Sequence, residues 1–306
     1  MPTTRRQFLH TSTLAGAGLF LSSLNSYAKP MAAPSAPGYS LLVFGTNWGF
    51  NGTTAELCVK LKQAGYDGLE LWWPSAEKDQ KELYQAIEKY QLKVGFLVGS
   101  GENDFKKHQQ QFEENLLAAA KAKPVYINCH SGKDFFSFDQ SKQLIDHSTK
   151  VAKETGTSIY HETHHGRILY AANVAKQFME KISELRLTLD ISHWCNVHES
   201  YLQGQEEAVA QALGRTDHIH ARIGHPEGPQ VSDPRAPEWA DAVKHHFDWW
   251  DKVVETKKKE GKRITFLTEF GPPDYMPTLP YTRQTVADQW AINVYMMEIL
   301  RKRYSA

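Results

Sequence analysis

Four short apolar stretches each end in a side chain able to bind a metal or move a proton: Ser158-Ile159-Tyr160-His161-Glu162, Leu187-Thr188-Leu189-Asp190, His218-Ile219-His220 and Ile264-Thr265-Phe266-Leu267-Thr268-Glu269. Their β-branched and aromatic residues read as buried strands. If these strands run parallel with helical returns, their carboxyl ends share one face of a barrel. Glu162, Asp190, His220 and Glu269 then converge. Three carboxylates and one imidazole suit a single divalent ion such as Mn²⁺, Mg²⁺, Co²⁺ or Zn²⁺. His218 and His220 alternate along one strand and point the same way, as does Arg222 two residues further on.

The remaining sequence supplies the elements that must hold these groups. Strand patterns are expected at Ser40–Gly45, Gly68–Trp72, Lys93–Val98 and Val125–Cys129, ahead of the four strands above. Helical patterns follow each of them. Thr53 and Glu56 form a capping box and Gly65 closes the helix they start. Further helices are expected at Glu77–Tyr90, from about Asp104 to Lys121, and at Gln140–Glu154, Ala171–Glu184, Gln205–Leu213, Trp239–Lys259 and Arg283–Arg303. Eight alternating strands and helices predict an α/β fold, a (β/α)8 TIM barrel. No Gly-x-Gly-x-x-Gly follows the first strand, which disfavours a dinucleotide-binding sheet. One connection, residues 224–238, carries four prolines and no helical or strand period; such loops at a barrel's carboxyl face are often lids or binding loops.

The 306 residues suffice for one large core, and the formal charge of zero offers no electrostatic footprint for nucleic acid. Residues 1–28 read as a twin-arginine export signal: Thr4-Arg5-Arg6-Gln7-Phe8-Leu9, a mild apolar stretch from Leu14 to Leu24, and Ser26-Tyr27-Ala28 as the cleavage site. The apolar stretch is too short to span a bilayer, and no cysteine follows it to carry a lipid, so no stable membrane anchor is expected. The location is then periplasmic or extracellular. Residues 29–39 read as a linker and 40–306 as the barrel domain. Cys58, Cys129 and Cys195 are too few and too scattered for a disulfide framework and read as buried thiols.

Tyr160-His161-Glu162-Thr163-His164, Leu189-Asp190-Ile191-Ser192-His193 and Phe266-Leu267-Thr268-Glu269-Phe270-Gly271, in this order on successive strands, resemble the xylose isomerase-like superfamily of sugar isomerases and epimerases. The resemblance spans roughly residues 40–303. It implies Glu162, Asp190, His220 and Glu269 as metal ligands, and His193 beside a substrate oxygen. It also implies that Glu162 and Glu269 exchange a proton next to a sugar carbonyl while the metal stabilises the negative charge that results. Two positions depart from the ketose 3-epimerase pattern: Ile168 stands where that branch has a second glutamate, and Pro226 where it has an arginine. His130, His164, Arg167 and Arg222 offer other polar contacts to substrate, and Trp48, Trp72 and Trp194 offer faces for a sugar ring.

The expected function is a metal-dependent isomerase or epimerase acting on an unphosphorylated sugar or polyol, since sugar phosphates belong mainly to the cytoplasm. The alternative is a lyase or dehydratase on a keto-sugar or keto-glycoside, using the same metal and base. A metal-dependent phosphodiesterase or endonuclease is disfavoured: Gly99-Ser100 ends the third strand where a histidine ligand is needed, and no Asp-x-His follows His220. A non-catalytic sugar-binding barrel would have no use for the full carboxylate set. The partner expected is a small sugar, with self-association left open.

Overall fold

The structure, a computed structural model, describes residues 27–31 and 33–305. Arg5 and Arg6 of the expected export signal lie outside the described residues. Eight parallel strands close into a barrel in sequence order: β1 (Ser40–Thr46), β2 (Gly68–Trp72), β3 (Lys93–Gly99), β4 (Ile127–His130), β5 (Ile159–Glu162), β6 (Leu187–Leu189), β7 (Thr216–His220) and β8 (Arg263–Thr268). Closure joins β1 to β8, with Ser40 paired to Arg263 and Gly45 to Thr268. Outside the barrel run α1 (Thr54–Ala64), α2 (Glu77–Tyr90), α3 (Phe105–Lys121), α4 (Phe138–Thr155), α5 (Ala172–Lys181), α6 (Ile191–Val197), α7 (Glu206–Arg215), α8 (Ala240–Glu260) and α9 (Gln289–Tyr304). None of the described helices is long and apolar enough to cross a membrane.

Local chemistry sets most boundaries. The Thr53–Glu56 capping box opens α1, and Gly65, at φ 96°, closes it in the left-handed region that favours glycine. Asp104 caps α3 through a hydrogen bond from the Lys107 amide, and a Ser137–Gln140 capping box opens α4.

Three expectations need correction. α9 starts at Gln289, not Arg283, because the Asp288 side chain accepts the Ala291 amide and fixes the start there. Residues 272–288 instead form an irregular loop with a bridge between Thr278 and Thr285. The short helix α6 has no counterpart in the sequence reading; it starts at Asp190, whose carboxylate accepts the Ser192 amide. Finally, the described residues of the 29–39 stretch, expected as a linker, dock on the barrel's helices. The Met31 amide donates to Arg303 O (2.8 Å), the Ala36 amide to Lys258 O (2.9 Å), and the Tyr39 hydroxyl to Tyr304 O (2.7 Å).

Most of the core lies between the barrel and its helices. A second, smaller cluster of Phe44, Tyr126, Tyr160 and Leu267 fills the lower barrel. A Cβ at Gly95 would lie 2.4 Å from the Tyr126 ring, so only glycine there admits that aromatic. Strand alternation then places Asn128 and His130 above Tyr126, Glu162 above Tyr160 and Glu269 above Leu267, so the apolar plug forms the floor of a polar layer. The three cysteines are buried and unpaired, and burial pushes the Cys58 thiol up to about 11.

Candidate active site

The four side chains expected to converge do so: one ligand atom from each of Glu162, Asp190, His220 and Glu269 lies within 4.8 Å of the others. β5, β6 and β7 end at or just before their group, and Glu269 directly follows β8. His220 Nδ1 lies 2.8 Å from Glu269 Oε2 and 3.5 Å from Glu162 Oε1. None of these three buried atoms makes a hydrogen bond. Buried polar atoms seldom stay unpaired. Three of them facing one point, two of them carboxylate oxygens, form the donor set of a divalent cation. The residues present therefore fit such an ion.

Asp190 is held from three sides. Its Oδ1 accepts the Ser192 amide (3.1 Å) and the Ser192 hydroxyl, and its Oδ2 meets Arg222 Nη2. The Thr163 hydroxyl donates to the Asp190 carbonyl and accepts its amide, both at 2.9 Å. Glu162 Oε2 accepts from Asn128 Nδ2 (2.6 Å) and lies 2.8 Å from His130 Nε2.

Electrostatics follow from this crowding. Burial would raise Glu162, but His130 and His220 outweigh it and hold the carboxyl well below the usual range. Burial pushes Asp190 up to about 6 against the pull of Arg222; a bound cation would reverse that shift. Burial opposes charging His220, yet Glu269, Glu162 and Glu70 drive it well above its ordinary value. A bound cation would supply the positive charge at this point and leave His220 neutral.

A cavity of about 410 Å³ opens over the cluster. Trp48, Trp72, His130, His164, Arg222 and Glu269 line it, together with Glu70 and Tyr275. Trp48 meets Tyr275 edge-on (4.9 Å), while Trp72 stands at the mouth, 49% exposed, with His130 against its edge (5.2 Å). These rings give the cavity the apolar walls that sugar faces pack on.

The remaining expected contacts are placed differently. Trp194 is fully buried, and its indole N–H donates to Leu169 O (2.9 Å). It belongs to the core between barrel and helices, so it cannot stack on a sugar. Arg167 donates to Gly132 O (3.3 Å) and forms no part of the cavity wall. Arg222 borders the cavity but spends its donors internally, on Asp190, on His193 Nε2 (2.7 Å) and on Ser192 Oγ (3.3 Å). His193 is fully buried rather than beside the cavity. Since Arg222 can only donate, His193 Nε2 accepts, and its Nδ1–H faces His165 Nδ1 at 2.9 Å.

The 224–238 loop, expected as a lid or binding loop, contributes nothing to the cavity wall. Gln230 bonds both backbone groups of Gly271, and Val231 is buried, so the loop braces the end of β8. Tyr275, in the 272–288 loop, lines the cavity instead.

The model of the xylose isomerase-like TIM barrel family matches residues 58–266, more than half of the chain. The chain belongs to this family. Among solved structures, this xylose isomerase-like barrel is similar to a D-allulose 3-epimerase from Methylomonas sp., at TM-score 0.59 and 17% identity, covering 89% of this chain and 100% of that one. It is also similar to a 3-keto-D-glucoside 4-epimerase from E. coli, at TM-score 0.54 and 15% identity over 86% and 99%. A third is a probable 3-DHS dehydratase from Bacillus anthracis, at TM-score 0.51 and 12% identity over 85% and 98%. At these identities the likeness concerns the fold. No curated protein sequence matches the chain.

Within this family barrel, sequence reasoning passed over Glu70, Asn128 and Tyr275. Glu70 had a signal: a carboxylate inside the apolar strand Gly68-Leu69-Glu70-Leu71-Trp72, on the same face as Trp72. Asn128 shares a face with His130 in the same way. Tyr275 had none, because a loop residue carries no period.

Proposed function

We propose that this protein is a divalent-metal-dependent enzyme that moves a proton next to the carbonyl of an unphosphorylated sugar or polyol, as an isomerase or epimerase. The observation that carries this reading is the meeting of Glu162 Oε1, His220 Nδ1 and Glu269 Oε2, buried and unbonded, beside Asp190 under an aromatic-walled cavity. An ion held by these four residues would supply Lewis-acid stabilisation of the negative charge that proton removal leaves on the substrate oxygens. Glu269 lines the cavity and its side chain is 12% exposed; with Oε2 turned to the ion, its other carboxylate oxygen, Oε1, can take a proton from substrate. Glu162 is fully buried, and His130, at 12% exposure, stands between it and the cavity. On that side the proton passes through the contact between His130 Nε2 and Glu162 Oε2. Trp48 and Trp72 hold the sugar ring.

One observation favours elimination as the second reading. Ile168, where a second substrate-touching glutamate stands in ketose 3-epimerases, is 3% exposed and sits in the core. With one glutamate exposed and the other screened, the two faces of the substrate meet unlike groups. Removal of a proton and loss of a β-substituent needs only one base and one acid.

The test is exchange of the substrate's carbon-bound proton in deuterated water, with metal-loaded protein and a panel of ketoses and keto-glycosides. Glu269→Gln and Glu162→Gln should each lower exchange by at least roughly 10²-fold. An epimer as product supports the first reading and an unsaturated sugar the second. Wild-type exchange in both variants with metal bound would sink the assignment.

A further inference from the structure

Glu70 contributes no atom to the four-residue cluster, and its strand, β2, does not adjoin β7. It is nevertheless a buried carboxylate, 3% exposed, divided between two imidazoles: Oε2 lies 3.1 Å from His218 Nε2 and Oε1 lies 3.2 Å from His220 Nε2. We propose that Glu70 is a positioning residue of the metal centre: by accepting the Nε2 hydrogen of His220, it keeps the Nδ1 lone pair turned toward Glu162, Asp190 and Glu269. The proposal rests on the metal reading above and extends it to a strand outside the ligand set.

The tautomers follow by elimination. An ionised carboxylate only accepts, so both imidazoles must present N–H to Glu70 from Nε2. A neutral imidazole carries one hydrogen, which leaves His220 Nδ1 as a lone pair. That is the atom 2.8 Å from Glu269 Oε2 and 3.5 Å from Glu162 Oε1. His218 Nδ1 then accepts the Thr265 hydroxyl at 2.7 Å, so the side-chain row Thr265–His218–Glu70–His220 alternates donor and acceptor, while the Thr265 carbonyl, 3.2 Å from the same nitrogen, receives no hydrogen from it. Asn128 Nδ2 donates one of its two hydrogens to Glu162 Oε2 at 2.6 Å and also lies 3.1 Å from His220 Nε2, where it competes with Glu70; the Nε2–H assignment rests on the ionised Glu70 carboxylate, which can only accept.

A carboxylate is the side chain this place needs, because two N–H donors require two acceptor oxygens. Glutamine has one oxygen, and its NH₂ would face the other imidazole donor to donor. The affected histidine would then shift its hydrogen to Nδ1. On His220 that hydrogen would sit where the metal binds. Carboxylates behind a metal-bound histidine fix its tautomer and raise its basicity, and their loss typically weakens metal binding 10–100-fold.

Two measurements test this without any sugar. In zinc-loaded protein labelled with ¹⁵N at histidine, His220 should bind zinc through Nδ1 and keep its hydrogen on Nε2; zinc on Nε2 overturns the proposal. In chelator competition with Zn²⁺, Glu70→Gln should bind 10–100-fold more weakly than wild type, with circular dichroism showing that it remains folded. Equal affinity, or lost stability with unchanged affinity, overturns the positioning role. Two equivalents of zinc in wild type, one of them lost in Glu70→Gln, overturns it by making Glu70 a ligand. Wild-type protein that binds zinc but moves no substrate proton fails the functional proposal alone. Protein that takes up no metal fails both.

Discussion

His246 lies on α8, away from the chemistry, and anchors the start of the 224–238 loop. Its Nδ1–H donates to Ala242 O (2.8 Å), and its Nε2 accepts the Gly224 amide (3.2 Å). Protonation would set two donors against each other at Gly224. Burial accordingly lowers this imidazole to about 3, below its ordinary value. A lowered histidine stabilises the folded state fully above its unfolded value near 6.5. That contribution fades as pH falls toward 3, because the unfolded chain takes the proton first, at about 1.4 kcal/mol per pH unit. Urea unfolding of wild type and His246→Gln should show a stability gap that narrows at about this slope, by roughly 2.5 kcal/mol in all, between pH 6 and pH 4. A gap that stays constant would mean that His246 does not hold this neutral state. The same logic explains why residue types alone did not decide roles. His193 and His246 are both buried histidines in one sequence, and only their partners, Arg222 in one case and Gly224 in the other, say which nitrogen is free.

At the scale of elements, the stretch at 27–39 does more than connect. Tyr27 stacks on Phe247 at 4.8 Å, and the Met31, Ala36 and Tyr39 bonds tie the stretch to the carboxyl ends of α8 and α9. Those helix ends lie at the amino ends of the strands, opposite the Glu162, Asp190, His220 and Glu269 cluster. A chain starting at Ser40 should therefore melt lower by roughly 4–8 °C, on the basis of about 2 kcal/mol lost. Its metal affinity should match that of the longer chain. An unchanged melting temperature would show that these contacts add nothing to stability. The stretch read as a linker because Pro, Ala and Ser carry no period, whereas its bonds are mostly from backbone groups, which any sequence possesses. Where side chains decide, boundaries were legible: β2 and α2 fall where alternation and helical spacing put them. α6 was not legible, because the Asp190 that starts it reads equally well as the end of a strand.

For the whole molecule, closure of β1 on β8 is the last condition for a finished site, since β8 delivers Glu269. The cluster proposed to hold a metal can therefore form only in a folded barrel. Export by the twin-arginine route, which we propose from Arg5-Arg6 and Ala28, would carry the chain across folded, with its metal loaded beforehand. Arg5→Lys combined with Arg6→Lys should hold the protein in the cytoplasm, as read by cell fractionation. Unchanged export of that double variant would sink the proposal.

The order of apolar runs, caps and breaks along the chain determined an eight-unit barrel, because burial and backbone hydrogen bonding act on residue types at short range. Strand ends then named Glu162, Asp190, His220 and Glu269, because parallel strands deliver their carboxyl ends to one face. Tertiary structure alone decided what those groups face. It set Glu70 behind His220, turned Arg222 inward to Asp190, sank Trp194 into the core and brought Tyr275 to the cavity wall. These are contacts between residues distant in sequence, fixed by barrel closure and side-chain packing, and no local pattern records them.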